Sequence, residues 1–309
     1  MIWHASRIAV SGTLAMLAIL LSTLPTAAQQ QGPSIRLSRD LVTLNVTVTD
    51  PLGRYVSGLS ATRFEVFDDK VKQEIAFFGY TDAPVTIGVV FDISGSMKQR
   101  IVRSVTALKR FIEASHREDE YFLLGFNNRV SLLRDYTTGG GDLAASLTLA
   151  SADGRTALYD AVLVGIEKAR AGRHDKRALL IISDGQDNSS RYTFSELRDV
   201  VREADVQIYA IGITDPMHET ELGPYGEAVI EELVRTTGGR AYFPTSEAEL
   251  MNICSQIALE LRNQYTIGYY PSCNIRDGRW HRLKVKLETP EGLPRLVVRT
   301  RDGYMGLRR

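Results

Sequence analysis

The fold is decided by residues 85–96, which read VTIGVVFDISGS. The first seven, Val85 to Phe91, are nearly all apolar, as expected of a strand that is covered on both faces of its sheet. The strand then ends at Asp92, and a polar loop leads into residues 101–112, where apolar side chains recur at helical spacing. A buried strand followed by a polar loop and an amphipathic helix is typical of an α/β fold.

This alternation of buried strands and amphipathic helices continues along the chain. We predict further strands at residues 121–126, 178–182, 206–213 and 241–243, and further helices around residues 158–166, 195–204, 227–236 and 250–261. Strands that alternate with helices imply a mostly parallel sheet with helices on both faces. We therefore predict a doubly wound, Rossmann-like α/β domain over residues 82–264.

The flanking segments, residues 33–81 and 265–309, carry β patterns instead. In the stretch 41–49 apolar residues alternate with threonine and asparagine, which predicts a half-buried strand. Each flank is too small to hold a good core alone. Since the first strand of a doubly wound domain begins at the edge where its last helix ends, both flanks emerge close together. We predict that they pair into one small β-sandwich.

The N-terminus has the layout of a secretory signal. Arg7 precedes the charge-free run Ile8–Leu24, and the small residues of Thr26-Ala27-Ala28 follow. We predict that residues 1–28 are a signal peptide cleaved after Ala28, so that the protein is exported to the periplasm or the extracellular space. The alternative is an uncleaved anchor, but the run is shorter than the roughly 20 residues that a spanning helix needs. We expect no stable membrane span after cleavage.

Composition limits the classes of function. The chain has 309 residues, with 37 Lys+Arg and 37 Asp+Glu, so its formal net charge is zero. This balance argues against a nucleic-acid partner, which usually needs a basic excess. Two cysteines cannot build a disulfide scaffold or a four-cysteine zinc site, although a bridge between Cys254 and Cys273 stays open. The histidines at positions 116, 174, 218 and 281 show no metal-ligand spacing, and we expect them at the surface.

Polar side chains follow the predicted strands at the points where these end. The set is Asp92, Ser94 and Ser96 after the first strand, Asp184 after the strand at 178–182, and Thr156 in a loop that leads into a helix. In open α/β sheets, ligands bind at the carboxyl ends of the strands. Carboxylates and hydroxyls are hard oxygen donors, which suit Mg²⁺, Mn²⁺ or Ca²⁺ rather than zinc or copper. We therefore predict one divalent cation held by these five residues.

This set resembles the metal-ion-dependent adhesion site of the von Willebrand factor type A domain. The match consists of Asp92-x-Ser94-x-Ser96, then Thr156, then Asp184-Gly185, in the same order and with the same placement at strand ends. The resemblance covers about residues 82–264. It implies that the site binds Mg²⁺ or Mn²⁺ and uses the ion to hold an acidic side chain of a partner. Arg155 stands where glycine is commoner, and we predict that it lies close enough to pair with the acidic side chain of the partner.

Longer phrases resemble an exported bacterial branch related to this family. They are the stretches 154–161 and 183–188, Gly268-Tyr269-Tyr270-Pro271, and Asp302-Gly303-Tyr304. The resemblance to the branch extends over most of the chain after the predicted cleavage.

These observations predict an exported adhesion or binding module with a protein partner that presents Asp or Glu to the ion. Residues 134–155 and 214–226 are expected to frame the metal face as specificity loops. One alternative is a structural or assembly component of the envelope in which the metal only stiffens the fold. A metal-assisted hydrolase is the weaker alternative, because no G-x-S-x-G elbow and no general base are evident. We expect no enzymatic activity.

Overall fold

The polypeptide folds into three β-sheets and six α-helices over the residues that its structure, a computed structural model, describes. These are residues 41–80, 82–184, 186–213, 224–272 and 276–307. The predicted signal peptide, the segment 214–223 and Cys273 lie outside them.

The helices and strands follow the predicted order closely. The strands are β1 (Val42–Thr49), β2 (Phe64–Asp68), β3 (Val71–Gln73), β4 (Ile75–Tyr80), β5 (Val85–Asp92), β6 (Glu120–Phe126), β7 (Val130–Thr138), β8 (Lys176–Ser183), β9 (Gln207–Gly212), β10 (Ala241–Tyr242), β11 (Tyr265–Tyr269), β12 (Trp280–Leu287), β13 (Val297–Arg299) and β14 (Gly303–Met305). The helices are α1 (Ile101–Ala114), α2 (Leu143–Thr148), α3 (Leu158–Arg170), α4 (Phe194–Glu203), α5 (Pro224–Thr237) and α6 (Glu247–Arg262).

The central sheet has six strands in the order β10-β9-β8-β5-β6-β7. All neighbours are parallel except β7, which runs antiparallel to β6. Helices α1, α2 and α6 pack on one face of this sheet, and helices α3, α4 and α5 pack on the other. Because both faces are covered, every residue of β5 is buried. The predicted doubly wound α/β fold class is confirmed.

The flanking strands form two antiparallel sheets that face each other. Their orders are β13-β1-β11-β4 and β14-β12-β2-β3, so each sheet combines strands from both ends of the chain. Inward-facing side chains such as Val46, Val66 and Tyr265 build a separate core between the two sheets. The pairing of β1 with β11 and of β2 with β12 supplies the partners that neither flank has alone. The domain boundaries at residues 82 and 264 stay a prediction, since Arg39–Arg309 form one compact unit.

A buried polar network joins the sandwich to the central sheet. The Glu260 carboxylate at the end of α6 accepts hydrogen bonds from Thr47 Oγ1 (3.1 Å) and Tyr209 OH (2.6 Å), and it pairs with Arg299 of β13. Donors from three sides satisfy a carboxylate that would be costly to bury alone. Gln264 bonds to Gln207, the first residue of β9, so this junction lies at the amino ends of the parallel strands.

The segment 134–155 differs from the predicted loop. It contains the second half of β7 and the whole of α2. Arg134 lies within β7 and pairs with Asp142, and the Gly139 N–H donates to the carbonyl of Asp119, just before β6. This part of the segment therefore lies near the amino-end edge, and only its last residues reach the carboxyl-end edge. The strand was missed because β7 is a half-buried edge strand whose pairing with β6 is interrupted by bulges.

Two further observations concern single residues and membrane spans. Cys254 is a free thiol buried in the core of the central domain, as its place on the apolar stripe of α6 predicts. His281, expected at the surface, is instead buried, and its ring stacks on that of Tyr304 at 5.0 Å. Within the described ranges, no helix combines the length and apolar character needed to cross a membrane.

Candidate metal centre

The candidate metal centre lies where the two central strands of the main sheet end. Strands β5 and β8 are parallel neighbours, with Phe91 opposite Ile182, so the residues that follow these positions emerge side by side. Asp92 is the last residue of β5, and Asp184 comes directly after β8. Both side chains are buried. The topology therefore places two carboxylates at one edge of the sheet.

The Asp92 carboxylate is fixed by two hydrogen bonds. Its Oδ1 accepts from the Ser94 N–H (2.8 Å), and its Oδ2 accepts from Ser183 Oγ (2.6 Å). Burial, followed by the charge of Asp184, raises the pKa of Asp92 to about 6. The two carboxylates therefore lie close enough for each to disfavour the charged form of the other.

The Asp184 carboxylate is only half satisfied. Ser94 Oγ and Ser96 Oγ lie 3.1 Å apart, and Ser96 Oγ donates to Asp184 Oδ2. Asp184 Oδ1 is buried and has no hydrogen-bond partner among the described residues. A buried carboxylate oxygen without a partner costs free energy unless a cation or a donor meets it.

Thr156 reaches the same edge through its loop. The Gly95 N–H donates to the carbonyl of Gly154 (3.1 Å), which ties this loop to the one after β5. Asn188 clamps Thr156 from the other side, because its Oδ1 accepts from the Thr156 N–H (2.9 Å) and its own N–H donates to the Thr156 carbonyl (3.0 Å). Thr156 is buried beneath these contacts. Gly154 has φ +78°, a conformation that favours glycine.

Arg100 is a neighbour of the site that sequence reasoning missed. Its Nη1 lies 3.6 Å from Asp184 Oδ2 and donates to the carbonyl of Ile213 at 3.2 Å. Arg100 is the N-cap residue of α1, so the helix that follows the Asp92 loop aims this guanidinium back at the strand ends. Ser183, the partner of Asp92, was missed as well. Only its position directly before Asp184 could have suggested it.

Two further carboxylates near this edge, those of Asp187 and Asp160, have hydrogen-bond partners. Asp187 Oδ2 accepts from the Tyr159 N–H (3.0 Å) and from Ser190 Oγ (2.5 Å). Asp160 is buried and accepts from the backbone N–H of Arg191 (3.0 Å). These bonds hold the loop after Asp184 against the start of α3. Both residues therefore have structural partners that account for them.

Arg155 is exposed, as a residue facing a partner must be. Its guanidinium donates to the backbone carbonyl of Asn188, and its own N–H donates to Asn128 Oδ1. These contacts hold Arg155 against the rim formed by the neighbouring loops. A contact between Arg155 and a partner stays a prediction.

The donor set fits a divalent cation such as Mg²⁺ or Mn²⁺. Two buried carboxylates would supply two negative charges, three hydroxyls would supply neutral oxygens, and Asp184 Oδ1, which has no hydrogen-bond partner among the described residues, is available as a ligand. Direct contacts bring Asp92, Ser94, Ser96 and Asp184 together in one chain of neighbours, and loop contacts bring Thr156 to them. The assignment of these five residues as metal ligands stays a prediction.

Comparison with known proteins gives matches to the central domain. The family model of the von Willebrand factor type A domain matches residues 86–256. An uncharacterized protein of Synechocystis sp. is 20% identical over 185 residues, which are 58% of this chain and 42% of that protein. The chain thus spans less than half the length of that curated relative.

Solved structures of similar fold include two bacterial proteins. The conserved hypothetical protein BatB from Bacteroides thetaiotaomicron is 16% identical, with 58% of this chain and 100% of that chain covered and a TM-score of 0.47. A von Willebrand factor type A protein from Catenulispora acidiphila is 11% identical, with 84% and 74% covered and a TM-score of 0.48.

The family match includes every residue of the candidate metal centre. It extends over more than half of the chain, from the second residue of β5 to the middle of α6. The chain therefore belongs to the von Willebrand factor type A domain family.

Proposed function

We propose that this protein is an exported binding module that holds an acidic side chain of a protein partner through a divalent cation. Asp92, Ser94, Ser96, Thr156 and Asp184 are its proposed ligands. Family membership supports a protein-interaction module in the coarser sense, since domains of this type are typically binding modules. The observation that carries the finer proposal is the buried, partnerless Asp184 Oδ1 beside a second buried carboxylate.

Each residue of the centre has a role that follows from its position. Asp92 and Asp184 supply the charge that attracts the ion, and Ser183 and the Ser94 N–H hold Asp92 in place. When bound, the ion would offer an electrophilic position to an incoming carboxylate. Ser96 is exposed, so a partner can approach the centre from this side. Asp92 is fully buried and can act only through the ion.

The proposal favours Mg²⁺ or Mn²⁺ over zinc because all the proposed donors are oxygens. It is tested first with the metal alone. Stripped protein is titrated with Mn²⁺ by calorimetry, and one equivalent is expected per chain. The variant with both Asp92→Ala and Asp184→Ala should bind Mn²⁺ at least about 100-fold more weakly, because each change removes one of the two anions. Loss of a ligand should cost more affinity than a change to a residue that only supports a ligand.

Asp153→Asn is the matched control for this titration. Asp153 is an exposed carboxylate in the loop before Thr156, and its Oδ1 accepts from Asn127 Nδ2. Its neutralisation should leave Mn²⁺ affinity within about threefold, because an exposed charge is screened by solvent. Equal binding by the double alanine variant and the parent would show that the five residues are not the site.

The partner is sought in native envelope extract. Immobilised protein is incubated with the extract in Mg²⁺ and in EDTA, with Asp184→Ala as a parallel bait. A partner that binds only in Mg²⁺ and only to the parent supports the metal bridge. A partner retained in EDTA and by the variant would place the contact elsewhere. Chelation thereby also separates a bridging metal from one that only stiffens the fold.

Two parts of the proposal need their own measurements. Export with cleavage after Ala28 is tested by N-terminal sequencing of the protein recovered from outside the cytoplasm. An intact Met1 on membrane-bound material would identify an anchor instead. The expectation that the protein is not an enzyme is tested by screening esterase and phosphatase substrates in Mg²⁺ and Mn²⁺. Substrate turnover by the parent that disappears in Asp92→Ala would contradict this expectation.

A further inference from the structure

A second cluster of ionisable side chains lies in the β-sandwich, far from the family motif in sequence. Asp68 ends β2, Asp69 follows it in the turn to β3, and His281 lies in β12. The antiparallel pairing of β2 with β12 brings them together, with Asp68 opposite Leu283. Asp277, just before β12, completes the group. We call these four residues the His281 cluster.

The imidazole of His281 lies between carboxylates. Its Nδ1 is 3.0 Å from Asp69 Oδ2 and 3.8 Å from Asp68 Oδ1, and its Nε2 is 3.2 Å from Asp277 Oδ1. One donor atom from each of Asp68, Asp69 and His281 lies within 4.8 Å of the other two. Tetrahedral zinc ligands at about 2.0–2.2 Å from the ion lie about 3.3 Å from one another. The distances from His281 Nδ1 to Asp69 Oδ2 and Asp68 Oδ1 are close to that value.

Burial makes this arrangement expensive without a cation. The Asp68 side chain is 0% exposed and that of His281 is 5% exposed. Asp68 Oδ2 accepts from Tyr269 OH and Tyr304 OH, both at 2.8 Å. Asp68 Oδ1, which faces the imidazole, has no hydrogen-bond partner within the part of the chain that the structure describes. A fully buried carboxylate with one oxygen that accepts no hydrogen bond is costly unless a cation or a donor meets that oxygen.

The tautomer of His281 decides what Nδ1 can do, because both ring nitrogens lie within hydrogen-bond distance of a carboxylate oxygen. A neutral imidazole that donates its Nε2–H to Asp277 directs the Nδ1 lone pair at Asp68 and Asp69. That lone pair would repel two carboxylate oxygens unless a cation lies between them. A carboxylate that holds the far nitrogen of a metal-binding histidine is the arrangement found behind many metal sites.

We propose that Asp68, Asp69 and His281 bind one zinc ion, with Asp277 as the residue that positions the imidazole. An imidazole nitrogen with two carboxylates is a donor set that suits zinc better than Mg²⁺, whose sites are built from oxygen. Asp69 is half exposed, so the ion can enter from solvent beside it, and water can complete the coordination. This site is independent of the proposed function of the sheet edge.

The ion would cross-link strands that come from opposite ends of the chain. Asp68 belongs to the N-terminal flank and His281 to the C-terminal flank, and the Asp68 carboxylate also binds Tyr269 in the facing sheet. Zinc at this place would therefore stabilise the sandwich, because metal binding to the folded state alone adds its free energy to folding.

Zinc titration of the full chain carrying Asp92→Ala and Asp184→Ala tests the proposal, because this background removes the proposed site at the sheet edge. We expect one equivalent of zinc to bind after stripping with EDTA, with a rise in melting temperature. Asp69→Asn should weaken zinc binding by at least about 100-fold, and Asp277→Asn by about 10- to 100-fold. Asparagine suits position 69, since φ there is +45°.

His281→Gln and its control complete the test. His281→Gln should lose zinc binding, whereas His174→Gln, at a histidine outside the cluster, should keep it. Circular dichroism establishes whether each variant is folded. If His281→Gln does not fold, zinc binding by Asp69→Asn decides the test. Failure of the background protein to bind zinc, or zinc binding that survives Asp69→Asn, would overturn the proposal. The cation between the carboxylates would then be a proton on His281, visible in its imidazole nitrogen chemical shifts.

Discussion

The edge of the central sheet and the His281 cluster present the same electrostatic problem in two settings. Each contains a buried carboxylate with one oxygen that accepts no hydrogen bond from any residue the structure describes, Asp184 Oδ1 in the first and Asp68 Oδ1 in the second. At the sheet edge the other donors are hydroxyls and Ser96 is exposed, so a bound ion could face a partner. In the sandwich the other donors include an imidazole that is 5% exposed, so an ion there would hold the protein itself together. If both proposals hold, exposure rather than charge would separate the binding site from the structural one.

Removal of residues 265–309 should have the largest effect on the protein, because it destroys the sandwich. The truncation removes His281 and Asp277 but keeps all five residues of the sheet edge. Strand β1 loses β11 and β13, and strand β2 loses β12, so the inner faces around Val46 and Val66 become exposed. We expect aggregation, measured by size-exclusion chromatography with light scattering and by dye binding. A monomeric product with unchanged melting behaviour would show that the two flanks fold independently.

The two sites should also respond to different changes. Asp184→Ala should reduce Mn²⁺ affinity by at least about 100-fold and leave zinc binding at the sandwich unchanged, while Asp69→Asn should do the reverse. The reason is that the two groups share no residue and belong to different cores. Calorimetric titration of both variants with both ions measures the four affinities. Loss of both ions in either variant would mean that one site supports the other and would remove the distinction.

The sequence predicts the first site far better than the second, for a physical reason. Asp92 ends one strand and Ser94 and Ser96 lie in the loop after it, and Asp184 follows another strand whose apolar run predicts that it is buried in the same sheet. Parallel strands always bring their carboxyl ends to one edge, so no register is needed to place these residues together. Thr156 was placed at this edge because its loop leads into a helix, and the resemblance to the family then supported that placement.

The His281 cluster depends on strand register instead. Asp68 and His281 are more than 200 residues apart, and they meet because β2 pairs antiparallel with β12 in one register. A shift by one residue would turn these side chains to the other face of the sheet. Short flanking strands do not specify that register in their own pattern, and so the sequence indicated a surface histidine. The same limit applies to β7, whose bulges interrupt the alternation.

A change at Asp92 should reveal the repulsion between the two carboxylates. The folded-state pKa of Asp92 is raised from 3.8 to about 6, by burial and by Asp184, so the metal-free folded protein holds more protons than the unfolded chain between these values. Its free energy of unfolding should therefore fall as the pH rises, by about 1 kcal/mol between pH 5 and pH 7 and by up to about 3 kcal/mol over the whole window.

Asp92→Asn should remove this contribution, since the amide carries no charge. In EDTA the variant should gain about 3 kcal/mol over the parent at pH 7 and show a flatter dependence on pH, measured by urea unfolding. Excess Mg²⁺ should stabilise the parent at pH 7 but not the variant. A parent that is more stable at pH 7 than at pH 5, relative to Asp92→Asn, would contradict the raised pKa.

Arg100 should have the smallest effect, and it tests whether the sheet edge is tuned by a fixed positive charge. Its guanidinium lies 3.6 Å from Asp184 Oδ2, where it offsets part of the charge that would attract a metal ion. Arg100→Gln should therefore raise Mn²⁺ affinity by about 3- to 10-fold at low salt, and less in 0.5 M salt, since screening weakens the repulsion. Arg100→Lys keeps the charge and should bind Mn²⁺ like the parent. If Arg100→Gln instead lowered the Mn²⁺ affinity, the hydrogen bond from Arg100 to the Ile213 carbonyl would be needed to hold the site in place. That structural role of Arg100 would then outweigh its repulsion of the metal ion.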